Sequence, residues 1–133
     1  MTVERRVVAG LFPPPDYAHV AVARGGLVFT AGGVPLDHDG TLVGPGDYGE
    51  QARRVIANLL AALDEVGAGP ADVAKTTVYV VAGHGRGPLV EVWEVVRSSP
   101  LAGAPSTLLG VAALGYEGQL VEIEAVAVRE RPA

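Results

Sequence analysis

Apolar residues recur at steps of three and four between positions 47 and 66: Ala52, Val55, Ile56, Leu59, Leu63 and Val66. On a helix these positions form one stripe, so the spacing predicts an amphipathic helix buried along that stripe. Asp47 stands where a side-chain oxygen caps the first turn, and Glu50 follows at capping-box spacing. Gly67 and Gly69 end the segment. Leu89, Val92, Trp93 and Val96 repeat the pattern and predict a second helix over 88–98, with Trp93 in the core.

Elsewhere the segments are short and rich in β-branched residues. Strands are expected at 3–8, 18–24, 27–32, 73–81, 106–114 and 119–129. Gly25-Gly26 separates the second and third, a hairpin signal. In the last strand Val121, Ile123, Ala125 and Ala127 share one face, while Glu122 and Glu124 share the other. The order β-β-β-α-β-α-β-β predicts an α+β layer, with one sheet and both helices on one of its faces. No repeat or linker interrupts the pattern, so residues 1–133 are expected to form one domain.

Composition narrows the chemistry. Apolar residues make up 49% of the chain but aromatic residues only 5%, so the core must be built from small aliphatic side chains. There is no cysteine, which excludes disulfides, thiol catalysis and zinc–cysteine sites and is compatible with a cytoplasmic location. The formal net charge is -5 with no run of Lys or Arg, so a nucleic-acid partner is not expected. Residues 98–116 carry no charge, but Pro100, Pro105 and three glycines fall within them. That stretch reads as buried loop and strand, and no membrane partner is expected. His19, His38 and His84 show no metal-ligand spacing, so no metal or other cofactor is expected.

Four segments together carry a family likeness. Residues 17–35 read YAHVAVARGGLVFTAGGVP and 51–72 read QARRVIANLLAALDEVGAGPAD. Residues 73–80 read VAKTTVYV and 121–128 read VEIEAVAV. In order and spacing they resemble the RidA (YjgF) superfamily, with its VFTSGQVP, QTRQALENLKAILEAAGAS and E-I-E-A segments, over nearly the whole chain. The resemblance implies a chorismate-mutase-like sheet and a homotrimer, with three sheets closing a central barrel and ligand clefts between subunits.

The resemblance also assigns roles. In that family's deaminases an arginine in a P-A-R-S/T segment binds the substrate carboxylate through its two-pronged guanidinium. A glutamate of the E-I-E-A strand places the attacking water, and a tyrosine reaches in from the neighbouring subunit. Here Glu122 matches the glutamate and Tyr17 the tyrosine. The arginine is missing: one alignment puts Ser106 in its place, another Pro105. The family's T-S-G-Q becomes Thr30-Ala31-Gly32-Gly33, and an asparagine of the second helix becomes Glu91. Ser106 and Thr107 are expected as polar pocket lining, with Ala31, Gly32, Gly33 and Glu91 at the ligand. His19, two residues beyond Tyr17, is a candidate to enter the same pocket.

The expected function is that of a RidA-like small-molecule enzyme. It would act on an imine, enamine or related reactive intermediate at an intersubunit cleft, and a simple 2-imino acid is a poor candidate substrate. The alternative is a non-catalytic trimer that binds a small ligand or a partner. Ribonuclease activity, attached to some family members, is disfavoured by the acidic balance.

Overall fold

The computed structural model describes residues 2–130. Six strands run β1 (Val3–Arg6), β2 (Val20–Ala23), β3 (Leu27–Thr30), β4 (Val73–Val81), β5 (Ser106–Val111) and β6 (Val121–Val128). Two helices, α1 (Tyr48–Glu65) and α2 (Gly87–Arg97), interrupt them in the expected order. The strands form one sheet of order β1-β2-β3-β6-β4-β5. Every pairing is antiparallel except β4 with β5, which are parallel and joined through α2. The α+β architecture inferred from the periodicities is the observed one.

Both helices pack on one face. Val55, Leu59 and Leu63 of α1 and Val92 and Val96 of α2 join Val78, Val80, Ile123 and Ala125 in a single aliphatic cluster. Burying each such side chain stabilises the fold by about 1.5–3 kcal/mol. The Asp47 side chain accepts the Glu50 N–H at 2.9 Å, so the first turn of α1 is capped. The capping box is not reciprocal, because the Asp47 N–H donates instead to the Gly44 carbonyl. At the other end Gly67 turns to φ 80°. Its N–H and that of Ala68 then close onto the Asp64 and Leu63 carbonyls, a Schellman ending that only glycine reaches cheaply.

The alternation in β6 is complete: Val121, Ile123, Ala125 and Ala127 are buried under the helices, while Glu122, Glu124 and Val126 point to the opposite face. That opposite face is uncovered in the single chain. Leu27, Phe29 and Val128 are 44%, 47% and 40% exposed there, forming an apolar patch at the β3–β6 pairing. Residues 98–116 form loop and strand as expected, but only Leu101 among them is buried. Trp93 is half-buried against the core and beside Leu108, not fully interior. No helix of the described residues is long and apolar enough to cross a membrane.

Candidate functional site

Glu122 sits on the uncovered face near the start of β6, where a turn delivers its neighbours. Gln119, 4% exposed, holds that turn. Its side-chain oxygen accepts the Tyr116 N–H at 3.1 Å, and its amide donates to Glu122 Oε1 at 2.9 Å and to the Val121 carbonyl at 3.1 Å. One buried amide therefore sets both Tyr116 and Glu122. Gln51 of α1 fixes the same turn from below. It donates to the Gly44 and Gly118 carbonyls at 3.1 Å each and accepts the Leu120 N–H at 2.7 Å.

The hydroxyls of Tyr17 and Tyr116 meet at 3.1 Å. On one side of this pair lies an open cleft of about 510 Å³, lined by Tyr17, Ala31, Gly32, Leu114, Tyr116 and Glu122 among others. On the other side lies an inner cavity of about 30 Å³, bounded by His19, Gly33, Asn58 and Leu59. Tyr17, Ala31, Gly32, Val34 and Tyr116 line both spaces.

The electrostatics follow from the packing. Burial pushes the Glu122 carboxyl up from the ordinary carboxylate range; the Gln119 hydrogen bond opposes the shift and the charge of Glu124 adds to it. Burial also pushes the Tyr17 phenol far up, helped by its bond to Tyr116 and by the nearby Glu122 charge. Tyr17 thus keeps its proton, and Glu122 in the same cleft holds its own more tightly than an ordinary carboxyl does. On the same face the Tyr79 hydroxyl donates to Glu124 Oε1. Glu124 is thereby engaged away from the cleft.

The structure brings Tyr17, Ala31, Gly32 and Glu122 together and places Gly33 and His19 just behind them. His19 is fully engaged: Nδ1 accepts the Val8 N–H at 2.8 Å, and Nε2 lies 3.1 Å from the Phe12 carbonyl. Those partners fit the neutral tautomer protonated at Nε2 and tie the 7–12 loop to β2, leaving no ring nitrogen for the cleft. Glu91 is exposed on α2, across the sheet from Glu122. Ser106 faces the helix side, where the Thr76 hydroxyl donates to it at 2.8 Å. Thr107 faces the Glu122 side but stands level with Glu124 across β4, holding the Lys75 ammonium at 2.7 Å. Among the described residues, no group of three His, Asp or Glu side chains could hold a metal ion.

Three residues of this site escaped the sequence reading: Tyr116, Gln119 and Gln51. Gln51 left a signal, since it lies four residues before Val55 on the buried stripe of α1. Tyr116 and Gln119 sit in a Gly-rich turn whose partners only the fold reveals.

The model of the family described as endoribonuclease L-PSP matches residues 11–129. The chain belongs to this family, within the RidA/YjgF superfamily. It is 43% identical over 60 residues to a RutC family protein of Pyrococcus abyssi, a match covering 45% of this chain and 47% of that one. That match spans about half the relative's length. A RutC family protein of Pyrococcus horikoshii is 31% identical over 111 residues, covering 83% of this chain and 85% of that one. Among solved structures, the YjgF gene product of E. coli superposes with a TM-score of 0.77 at 26% identity, covering 95% and 98% of the two chains.

Family membership sharpens the question of the missing arginine. Strand register shows which β5 residue can stand on the Glu122 side. Thr77 pairs with Thr107 in β5 and with Glu124 in β6, so Thr107 and the two glutamates share one face. Ser106 pairs with Thr76 and lies on the other. Of Ser106 and Thr107, it is Thr107 that stands on the Glu122 face. Threonine is no cation there either.

Proposed function

We propose that this chain is a small-molecule enzyme acting on an imine, enamine or related reactive intermediate in the Glu122 cleft, and that simple anionic 2-imino acids are not its substrates. One observation carries the reading: a half-buried carboxyl with a raised pKa faces an open cleft beside two hydrogen-bonded tyrosines. Glu122 would take a proton from water as the oxygen attacks the C=N carbon. With the imine nitrogen already protonated, this gives a neutral carbinolamine; Glu122 would then return the proton to nitrogen and take the hydroxyl proton as the C–N bond breaks, leaving a carbonyl product and an amine. The Tyr17 hydroxyl, held neutral, would orient water or the nitrogen by hydrogen bonding.

The uncovered apolar patch of Leu27, Phe29 and Val128 supports assembly through this face, as in the trimer the family resemblance implies. The cleft would then lie at a subunit boundary. The test is release of carbonyl product from imines generated in situ, read against the uncatalysed rate. Acceleration that Glu122→Gln reduces by about a hundredfold or more supports the reading. Equal rates with and without protein rule it out.

The missing guanidinium favours a second reading, a trimer that binds a small ligand without turnover. It predicts saturable binding in the cleft with no product formed.

A further inference from the structure

The cleft is lined without any cation. Among the described residues that line it, the ionisable groups are Glu122, Tyr17 and Tyr116. The rest of the wall is apolar or backbone: Pro15, Val34, Ala113 and Leu114 are part of it. Lys75, toward the far end of β4, donates to Thr107 at 2.7 Å and to the Thr76 carbonyl at 3.1 Å. The register places it opposite Val126, four residues along β6 from Glu122.

The two oxygens of Glu122 are not equivalent. Oε1 accepts from Gln119 at 2.9 Å. Oε2 accepts no hydrogen bond from any described residue, and it lies over Gly32 at the cleft floor. It is not sealed off, since the described residues include no buried side-chain oxygen lacking a partner. A carboxyl oxygen without a hydrogen-bond donor is thus presented to a cleft that two phenol side chains also line. Phenol faces attract cations, and a carboxylate removed from bulk water gains most from a charged donor. A carboxylate on the ligand would instead meet like charge with no guanidinium to offset it.

We infer that this cleft recognises an organic cation: a protonated imine or amine with an apolar body and no carboxylate of its own. The nitrogen donates to Glu122 Oε2, the tyrosine rings flank it, and the apolar body lies along Val34 and Leu114. The raised pKa of Glu122 agrees, because an incoming cation compensates the burial that raises it. The inference deepens the proposed function and rests on the same cleft, but it concerns recognition and is measurable without turnover.

The experiment is calorimetric titration of the intact chain near neutral pH with three ligands that share a benzyl body: benzylamine, benzyl alcohol and phenylacetate. Benzylamine is expected to bind about tenfold or more tightly than phenylacetate, with the alcohol between them. Glu122→Gln, which keeps an acceptor for Gln119, is expected to remove most of that preference. The inference is overturned if phenylacetate binds as tightly as benzylamine, if benzylamine does not bind, or if the preference survives in Glu122→Gln. The wild-type comparison stands even if that variant fails to fold. Turnover assays in parallel separate the two proposals. Acceleration of imino acids but not of carboxylate-free imines overturns the cation reading and leaves the enzyme. Selective benzylamine binding with no turnover of either imine overturns the enzyme and supports the cation site.

Discussion

The carboxylate of Glu122 rests directly on Gly32, in the space that a Cβ at position 32 would occupy. The backbone of Gly32 is not in the left-handed region, so glycine is needed here for room and not for its φ. The floor of the cleft and the position of its only carboxyl among the described lining are therefore one packing decision.

Gly32→Ala is accordingly expected to displace Glu122 and destabilise the fold by about 1–3 kcal/mol, as overpacking does. The cost should not add to that of Glu122→Ala, because removing the carboxylate frees the space. Denaturant melts of the two single variants and the double variant give the coupling. Simple additivity would mean that the contact is relieved some other way.

Glu122 holds its proton more tightly when folded than when unfolded. Stability from this group is fully present at acid pH and is lost as pH rises from the ordinary carboxylate range through the raised value. Glu122→Gln should therefore be more stable than the wild type near neutral pH, and the gap should close on acidification. Denaturation midpoints across that range check both the sign and the closure. A variant less stable at neutral pH contradicts the account.

Tyr79 is pushed up to about 12, first by its hydrogen bond to Glu124, then by burial and the charges of Glu124 and Glu122. Its ordinary value is about 10. The folded state keeps this proton, so stability falls as pH rises from about 10 through about 12. Near-ultraviolet titration of tyrosinate should show a step near 12 that Tyr79→Phe removes.

Gln51 is fully buried and serves three backbone groups of the 44 and 118–120 segments. Gln51→Leu keeps the bulk but strands those groups, at a cost of about 2–4 kcal/mol. Hydrogen exchange at the Leu120 amide should quicken more than at the amides of β4. Unchanged exchange there would mean that the turn carrying Tyr116 and Gln119 holds without this residue.

Arginine introduced at 106 and at 107 should behave differently. Ser106→Arg drives a guanidinium toward the helix layer and breaks the Thr76 bond, costing about 1–3 kcal/mol. Thr107→Arg enters the uncovered face and loses only the exposed bond from Lys75, so it should cost less than Ser106→Arg. Equal costs would contradict the register of β5 against β4.

The fold was legible where periodicity is strong. The predicted helix over 47–66 is observed at Tyr48–Glu65, and the strand over 73–81 is found at Val73–Val81. Strand ends came out long: 106–114 stops at Val111, because β4, its partner, ends at Val81. Glu122 and Tyr17, singled out by motif likeness, line one cleft, and the described residues lining it include no cation. The face of Ser106 was not legible, since a shift of one residue in a short strand reverses every side chain and only pairing fixes it. His19 looked like chemistry because its two backbone partners lie 7 and 11 residues away, in a loop that sequence alone does not fold back.

Strand β6 lies between β3 and β4, so it is the seam between the β1–β3 meander and the β4–α2–β5 crossover unit. Each half can form from near neighbours in the chain, but they become one sheet only when this last strand slides between them. Such a closure depends on contacts distant in the chain, the kind that slow folding. Because the same strand carries Glu122, a partly folded chain has no cleft to offer. A ligand that gripped Glu122 would bind only the completed sheet, and would act as a latch on the seam.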